Sequence, residues 1–232
     1  MVTAAVLAGG TGSRMGADKP KQFLEVGSVP IIILSIKAFI NNENVDGCIV
    51  AVNEEYVTYT EELIKKHIQT DKNISVIKGG SFRGETLLNV LEFMSEKDCL
   101  EGILLTHDAV RPFIDDRIIN GNIEAAKQYG ACNTCIKAVD TVFISADGKF
   151  IDSVPDRSTL FHAQTPQSFD AVKLYELIKA TDKEIFEKMT DGCSVFTYHG
   201  EKVAITEGSN DNIKITFPED MKRAEMILKG RE

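Results

Sequence analysis

Apolar and polar residues follow two different rhythms along the N-terminal half of the chain. Short stretches rich in apolar and β-branched residues alternate with longer amphipathic stretches, where apolar residues recur at helical spacings, as at Val57, Ile64 and Ile68. This alternation predicts a Rossmann-like, doubly wound α/β fold with a mostly parallel sheet. The predicted strands are 2–8, 46–53, 73–78 and 101–106, and the predicted helices are 29–40, 54–68, 83–97 and 115–129.

The rhythm changes after Ala131. The pattern predicts consecutive strands at 132–138, 141–146 and 149–154, and Ala146-Asp147-Gly148-Lys149 is a hairpin signal between the last two. We therefore predict a β-arm, about residues 137–165, inserted into a single domain that spans 1–232. A helix near 170–180, a strand near 202–206 and a helix from about 217 to 229 return the chain to the α/β pattern.

Composition and charge narrow the class of protein. With 232 residues, 43% of them hydrophobic, the chain can bury a core without disulfides or a structural metal. A net charge of -9 disfavours nucleic-acid binding but allows a local cationic pocket for a mononucleotide. No secretory signal and no apolar run of transmembrane length is visible, and five irregularly spaced cysteines suit a reducing compartment. We expect a cytoplasmic protein that binds neither nucleic acid nor membrane.

Two further groups of potentially reactive residues, the pair Cys132 and Cys135 and the residue His107, are expected to have structural rather than catalytic roles. Cys132 and Cys135 have the spacing of a redox motif or of half a zinc site, but they lie in a strand-like stretch without a second pair or a histidine cluster. His107 follows a predicted strand, where a histidine is more often a hydrogen-bonded structural residue than a base. The four histidines are scattered and do not predict a metal centre.

The first predicted strand runs into a stretch rich in glycine and basic residues, Leu7-Ala8-Gly9-Gly10-Thr11-Gly12-Ser13-Arg14-Met15-Gly16. Glycines let backbone N–H groups approach phosphate oxygens, and basic side chains add positive charge, so the stretch predicts a triphosphate cradle. The dinucleotide-binding pattern would need a glycine three residues after Gly12, and a P-loop would need Gly-Lys followed by Ser or Thr. Neither is present.

The glycine stretch, followed by Pro20-Lys21-Gln22-Phe23, resembles the signature of the sugar-phosphate cytidylyltransferases. Further segments of that family recur in order: Gly79-Gly80-x-x-Arg83-x-Glu85-Thr86, Thr106-His107-Asp108-Ala109-Val110-Arg111-Pro112-Phe113, Gln164-Thr165-Pro166-Gln167-Ser168-Phe169, Thr190-Asp191, and Asp211-Asn212-Ile213-Lys214-Ile215-Thr216. The resemblance implies a nucleotidyltransferase that joins CTP to a small polyol phosphate and releases pyrophosphate.

The resemblance also implies a role for each group of residues. In this reaction an ionised phosphate attacks the α-phosphorus of CTP in line, so the protein aligns reactants and stabilises charge rather than supplying a strong base. Arg14 and Lys21 would stabilise the transition state, and Arg157 and Lys214 would position the acceptor phosphate. The residues expected to bind CTP are Leu7, Ala8, Gly9, Gly10, Gly12, Gly79, Gly80, Arg83, Glu85, Thr86, Asp108 and Ala109, and those expected at the acceptor are Arg111, Thr141, Thr165, Thr190 and Asp211.

A magnesium ion and a second subunit complete the implied site. Asp108 and Asp211 are the expected Mg²⁺ ligands, because Mg²⁺ binds with one or two carboxylates together with phosphate oxygens and water. In the family the arm is exchanged between two subunits. The resemblance therefore implies a homodimer in which Arg157 and Thr165, with Thr141 nearby, complete the partner's acceptor site.

Two groups of relatives share nearly all of these motifs. One comprises ribitol-5-phosphate cytidylyltransferases, which supply CDP-ribitol for cell-wall polymers such as teichoic acid; the other comprises the 2-C-methyl-D-erythritol 4-phosphate cytidylyltransferases of isoprenoid biosynthesis. Glu85-Thr86, Asn89 and Val110 are more similar to the ribitol group, whereas the short loop between Gly16 and Pro20 is more similar to the isoprenoid group. We expect D-ribitol 5-phosphate as the acceptor, with methylerythritol phosphate as the alternative.

Functions of other classes stay open. A nucleotide-binding regulator could keep the fold without catalysis, although retention of residues such as Arg14, Lys21 and Lys214 counts against it. An NAD-dependent oxidoreductase is disfavoured by the glycine spacing and by the Pro-Lys-Gln-Phe segment.

Overall fold

A seven-stranded sheet organises the part of the chain that the computed structural model describes, residues 1–9 and 19–231. The strands are β1 (Val2–Ala8), β2 (Glu25–Val26), β3 (Val29–Pro30), β4 (Gly47–Val52), β5 (Asn73–Lys78), β6 (Ile103–Asp108), β7 (Ala131–Lys137), β8 (Phe161–Asp170) and β9 (Ala204–Glu207). The helices are α1 (Ile31–Ile40), α2 (Val57–His67), α3 (Arg83–Glu96), α4 (Asp116–Tyr129), α5 (Ala171–Ala180), α6 (Lys183–Phe186), α7 (Gly192–Tyr198) and α8 (Pro218–Lys229).

The sheet has the order β5-β4-β1-β6-β8-β7-β9, and β2 and β3 form a separate two-stranded hairpin. Neighbouring strands from β5 to β6 are parallel, β8 is antiparallel to both β6 and β7, and β9 is parallel to β7. This arrangement confirms the predicted α/β class with a mostly parallel sheet.

Alternate residues of β1 pack on opposite faces of the sheet, which explains why the strand is apolar throughout. Ala4 and Val6 contact the layer that includes α1 and α4, whereas Ala5 and Leu7 contact the layer that includes α3 and α5. A parallel strand covered on both faces has no solvent side, so it needs no polar alternation. None of the helices in the described part of the chain is long and apolar enough to cross a bilayer.

The predicted elements of the N-terminal half are confirmed with small changes at their ends. β6 is shifted by two residues toward its C-terminus relative to the prediction, so that Asp108 is the last residue of the strand. The structure also contains β8, which was not predicted as a strand. Its polar residues, including Gln164, Thr165 and Gln167, hide the apolar signal of a strand, yet all three are buried in the sheet.

The two predicted arm strands are wrong. Within residues 138–160, pairing is limited to one bridge between Ile144 and Ser153. The predicted turn is present, because the Asp147 carboxylate accepts hydrogen bonds from the backbone N–H groups of Lys149 and Phe150. Most large apolar side chains of this segment are exposed, so no layer within residues 1–9 and 19–231 packs on them to stabilise a longer hairpin.

Candidate active site

The carboxyl ends of β1 and β6 lie side by side and bring the predicted motifs together. Leu7 pairs with Asp108, and the N–H of Ala109 donates to the carbonyl of Leu7 at 3.1 Å. Ligands of open α/β folds bind at this edge of the sheet. The predicted glycine cradle begins here, but Gly10, Gly12 and Arg14 lie outside the described residues.

Asp108 is the centre of a cluster of positive charge. Its carboxylate accepts hydrogen bonds from Arg83, from Nζ of Lys214 at 2.9 Å and from Nε of Arg111 at 3.3 Å. Burial by itself raises the pKa of this carboxyl, but the charges of Arg83, Lys214 and Arg111 outweigh burial and hold the pKa far below its usual value. Asp108 is therefore ionised and fixes three cations at the edge of the sheet.

The three cations differ in their exposure. The side chain of Arg111 is 10% exposed, and Nη1 also donates to the carbonyl of Asn212 at 2.7 Å. The side chains of Arg83 and Lys214 are 29% and 45% exposed. Arg83 and Lys214 can therefore meet an anion from solvent, whereas Arg111 ties the turn after β6 to the segment before Lys214.

Lys21 lies against the same segment. Its Nζ donates to the carbonyl of Ile215 at 2.9 Å, and the amide of Gln22 donates to the carbonyl of Ala8 at the end of β1. Residues far apart in sequence, Lys21 and Lys214, are thus brought to one place. Lys21 therefore contacts the residue that follows Lys214, and both lysines lie near the carboxyl edge of the sheet.

The Gly79-Gly80 turn is built by its own side chains. The Thr86 hydroxyl accepts from the N–H of Gly80 at 3.0 Å and donates to the carbonyl of Phe82 at 3.0 Å, and the Glu85 carboxylate accepts from Ser81. An added Cβ on Gly80 would lie 2.4 Å from Cγ of Glu85, so glycine is required there. The hydroxyl proton of Thr86 is used inside the turn, and the predicted contacts of Thr86 and Glu85 with CTP stay predictions.

Arg157 and Thr141 lie on the arm. Both residues are exposed, and Nη1 of Arg157 donates to the carbonyl of Val139 at 2.9 Å. The described contacts of Arg157 are thus with the arm itself, and its predicted action on an acceptor phosphate stays a prediction.

The other predicted acceptor residues have different surroundings. Thr190 is exposed just before α7, whose first turn is capped by Asp191 through the N–H of Ser194. Asp211 is exposed, next to the buried Asn212. Thr165 is buried, and its hydroxyl contacts His107 and Asp108 of its own chain. The predicted contribution of Thr165 to a partner's site stays a prediction.

The structure adds residues that were not predicted. A cleft beside Arg83 is also lined by Thr106, Gln167 and Asp191. Gln167 is 2% exposed, and its Oε1 has no hydrogen-bond partner among the described atoms. Its place in the segment Gln164-Thr165-Pro166-Gln167 was the signal that could have identified it, and a buried amide is costly without a partner.

Both structural expectations outside the cradle are supported. His107 is fully buried, and its two ring nitrogens contact the carbonyl of Arg111 and the hydroxyl of Thr165. Burial lowers the pKa of His107 to about 4. Burial raises the pKa of the Cys132 thiol to about 12 and also raises that of Cys135, which makes both poor nucleophiles.

Comparisons with known proteins agree with this geometry. The family described as IspD, 2-C-methyl-D-erythritol 4-phosphate cytidylyltransferase, matches residues 2–230. The chain belongs to this family. It is therefore a cytidylyltransferase, and so a nucleotidyltransferase, as the resemblance implied.

Solved structures of IspD proteins share the fold. A 4-diphosphocytidyl-2C-methyl-D-erythritol synthase from Anaerococcus prevotii superposes with a TM-score of 0.83 at 27% identity, over 99% of this chain and 96% of that chain. Another such synthase gives a TM-score of 0.80 at 26% identity, with 98% of each chain covered. The Thermus thermophilus cytidylyltransferase, at 24% identity and a TM-score of 0.77, covers 99% of this chain and 100% of that chain.

The expected closeness to ribitol enzymes is not supported. The matching family and these solved structures are IspD proteins. The residues that suggested ribitol enzymes have structural roles here: Glu85 and Thr86 build the turn before α3, and Val110 is packed in the core beside Phe113. Side chains occupied in packing carry little information about the acceptor.

IspD-family enzymes are generally dependent on a divalent metal, and Asp108 can accommodate one. A carboxylate has about four acceptor positions, of which Arg83, Arg111 and Lys214 use three. One contact with Mg²⁺ is thus open, which fits an ion held mainly by phosphate oxygens and water. Among the described residues, no group of three or more His, Cys, Asp or Glu side chains could hold a metal without a substrate.

Proposed function

We propose that the protein transfers the cytidylyl group of CTP to 2-C-methyl-D-erythritol 4-phosphate, with release of pyrophosphate, in isoprenoid biosynthesis. The observation that carries the proposal is the match of the IspD family to residues 2–230. The clustering of Lys21, Arg83 and Lys214 at the carboxyl edge of the sheet supports it, because phosphoryl chemistry requires positive charge at this edge.

The charges around Asp108 suit a site that exchanges one anion for another. A single carboxylate balances only one of the three positive charges of Arg83, Arg111 and Lys214. The phosphates of CTP and of the acceptor supply the remaining negative charge, and the exposed pair Arg83 and Lys214 can turn toward them. Lys21 and Lys214 would then hold the attacking and transferring phosphates in line, which is how such a site accelerates transfer.

The acceptor phosphate is already ionised at neutral pH, so it needs no general base. His107 agrees with this requirement, because both of its ring nitrogens are engaged inside the protein and its pKa is lowered to about 4 by burial. Mg²⁺ held by Asp108 and phosphate oxygens would supply charge neutralisation at the reacting phosphate. Asp211 is the second candidate ligand.

We further propose a homodimer in the cytoplasm. Val139, Phe150 and Ile151 on the arm are 76%, 74% and 60% exposed, and a second copy of the chain would bury them. Arg157 lies on the same arm and would reach the partner's acceptor site. The five cysteines are all free, which suits a reducing compartment.

The direct test compares two acceptors under identical conditions. Purified protein with CTP and Mg²⁺ is given either methylerythritol phosphate or D-ribitol 5-phosphate, and pyrophosphate release is measured. We expect faster release with methylerythritol phosphate. Faster release with ribitol phosphate would overturn the proposed acceptor, and no release with either would overturn the proposed reaction.

The matched variants test the site. Lys21→Ala should lower turnover about a hundredfold, the usual cost of losing one transition-state donor. Lys127→Ala removes an exposed lysine near the end of α4 and should leave turnover unchanged. Equal activity of both variants would contradict the role of Lys21.

A further inference from the structure

The backbone ladder between β6 and β8 stops just before Asp108. Its last pair is Thr106 with Gln167, and Pro166 has no N–H with which to continue it. In place of a backbone carbonyl, the Thr165 hydroxyl accepts a hydrogen bond from the N–H of Asp108 at 3.1 Å. The backbone of the charged residue is therefore held by a side chain rather than by the sheet.

The same hydroxyl contacts His107, and the direction of that bond can be deduced. Nε2 of His107 lies 2.9 Å from the carbonyl oxygen of Arg111, which only accepts, so Nε2 carries the proton. Nδ1 lies 3.0 Å from the Thr165 hydroxyl, which already accepts from the N–H of Asp108 and donates its own proton to Nδ1. Hydrogen bonds thus run in one direction from Asp108 N–H through Thr165 and His107 to Arg111.

Packing holds the ring of His107 in place in addition to its hydrogen bonds. His107 is fully buried, and its ring packs edge-on against Phe39 with 5.0 Å between centroids. The ring therefore keeps Nε2 toward the Arg111 carbonyl and Nδ1 toward the Thr165 hydroxyl.

Thr165 also holds the segment that carries Lys214. Its carbonyl accepts from the Asn212 amide at 2.8 Å, and the Asn212 carbonyl accepts from Arg111. The same residue therefore holds the Asp108 turn by its hydroxyl and the segment before Lys214 by its carbonyl. The ion pair between Asp108 and Lys214 spans these two parts.

We propose that His107 and Thr165 are positioning residues of the cytidylyl-transfer site: they fix the backbone of Asp108 so that its carboxylate sets Lys214 and Arg83 for the reacting phosphates. This proposal rests on the proposed function. It gives Thr165 a task within its own chain, in addition to the one predicted in a partner's site.

The experiment removes the hydrogen bonds of Thr165 and His107 one at a time. For each variant, kcat and the KM for CTP are measured separately. Thr165→Val deletes the hydroxyl at nearly constant volume. His107→Asn keeps an acceptor near the Nδ1 position, facing Thr165, whereas His107→Gln keeps a donor near the Nε2 position, facing Arg111. Thr60→Val is the matched control, because Thr60 on α2 is also buried and its hydroxyl donates to the carbonyl of Tyr56 rather than to a residue of the Asp108 turn.

We expect Thr165→Val and His107→Gln to lower kcat about tenfold or more, because small misplacements of reacting groups are costly. The KM for CTP should change much less, since neither Thr165 nor His107 is among the residues expected to bind CTP. His107→Asn should retain more turnover than His107→Gln, and Thr60→Val should resemble the wild type. Unchanged kcat in Thr165→Val, or more turnover in His107→Gln than in His107→Asn, would overturn the proposal.

A measurement without turnover separates this proposal from the proposed function. In ¹⁵N-histidine NMR spectra of the wild-type protein at neutral pH, assigned by loss of the signal in His107→Asn, we expect the neutral Nε2–H tautomer for His107. A protonated Nδ1 would overturn the positioning chain even if transfer is fast. The expected tautomer with no transfer to any acceptor would instead overturn the proposed function.

Discussion

The turn after β6 and the arm at residues 138–160 both belong to the predicted site, but they are completed in different ways. Around Asp108 the polar groups are paired within the chain: three cations meet one carboxylate, and Thr165 and His107 fix the backbone. On the arm, apolar residues such as Phe150 are exposed, and the backbone makes a single strand bridge.

The difference separates two requirements of one enzyme. A site that stabilises a transition state has to be rigid before the substrate arrives, because reorganisation at the moment of reaction raises the barrier. A surface that recognises another subunit has to stay uncovered until that subunit arrives. The Asp108 turn is held in place by contacts within its own chain. The apolar residues of the arm, in contrast, would be covered by the second copy that we propose.

Removing the central charge should produce the largest effect. Asp108→Asn leaves Arg83, Arg111 and Lys214 without their carboxylate, and breaking a buried ion pair on one side costs about 3–5 kcal/mol. We expect the free energy of unfolding, measured in urea, to fall by that amount. Glu54→Gln breaks an exposed pair with Lys78 and should cost less than about 1 kcal/mol. Similar losses in both variants would show that the turn is not preorganised by Asp108.

A charge on the arm should have an intermediate effect and act on assembly instead. Phe150→Asp places a carboxylate in the proposed dimer contact, and loss of a buried aromatic anchor costs about 2 kcal/mol or more. We expect weaker dimerisation in sedimentation experiments, with the free energy of unfolding of the monomer little changed. Tyr129→Asp is the control, because Tyr129 is 57% exposed but lies at the end of α4. Equal dimerisation of the two variants would contradict the role of the arm.

Mild acid should have the smallest of these effects on the free energy of unfolding, and it should act through His107 beside the Asp108 turn. The pKa of His107 is lowered from 6.5 to about 4, so between these values the unfolded chain binds more protons than the folded one. The stability contribution is complete above pH 6.5 and is lost as the pH falls toward 4. From pH 7 to 5.5 the free energy of unfolding should fall by about 1 kcal/mol more in the wild type than in His107→Asn. Parallel curves for the two proteins would contradict a neutral buried ring.

The sequence predicted the fold well where one physical effect dominates. β1 is apolar because both of its faces are covered, and its predicted bounds agree with the structure. β8 was missed because its polar residues pair inside the sheet. The arm strands were wrong because their apolar residues are largely exposed and nothing in the described part of the chain covers them. The spacing of apolar residues in a sequence indicates that they are buried. It does not indicate whether another element of the same chain or another subunit covers them.

The candidate site was predicted by resemblance more than by pattern. Lys21 and Lys214 lie at opposite ends of the chain, and no spacing rule brings them to one segment. Of the positions that suggested ribitol phosphate, Thr86 serves the turn and Val110 the core. The bonds of His107 and Thr165 depend on a contact between β6 and β8, which a sequence pattern alone does not reveal.

β8 runs through ten residues from the end of the arm to the helix that follows, and Thr165 lies in its middle. Phe161, at its arm end, pairs with Lys137, and Thr165 is four residues further along the same backbone. The backbone of β8 thus connects the arm to the residue that holds the Asp108 turn, without an intervening loop.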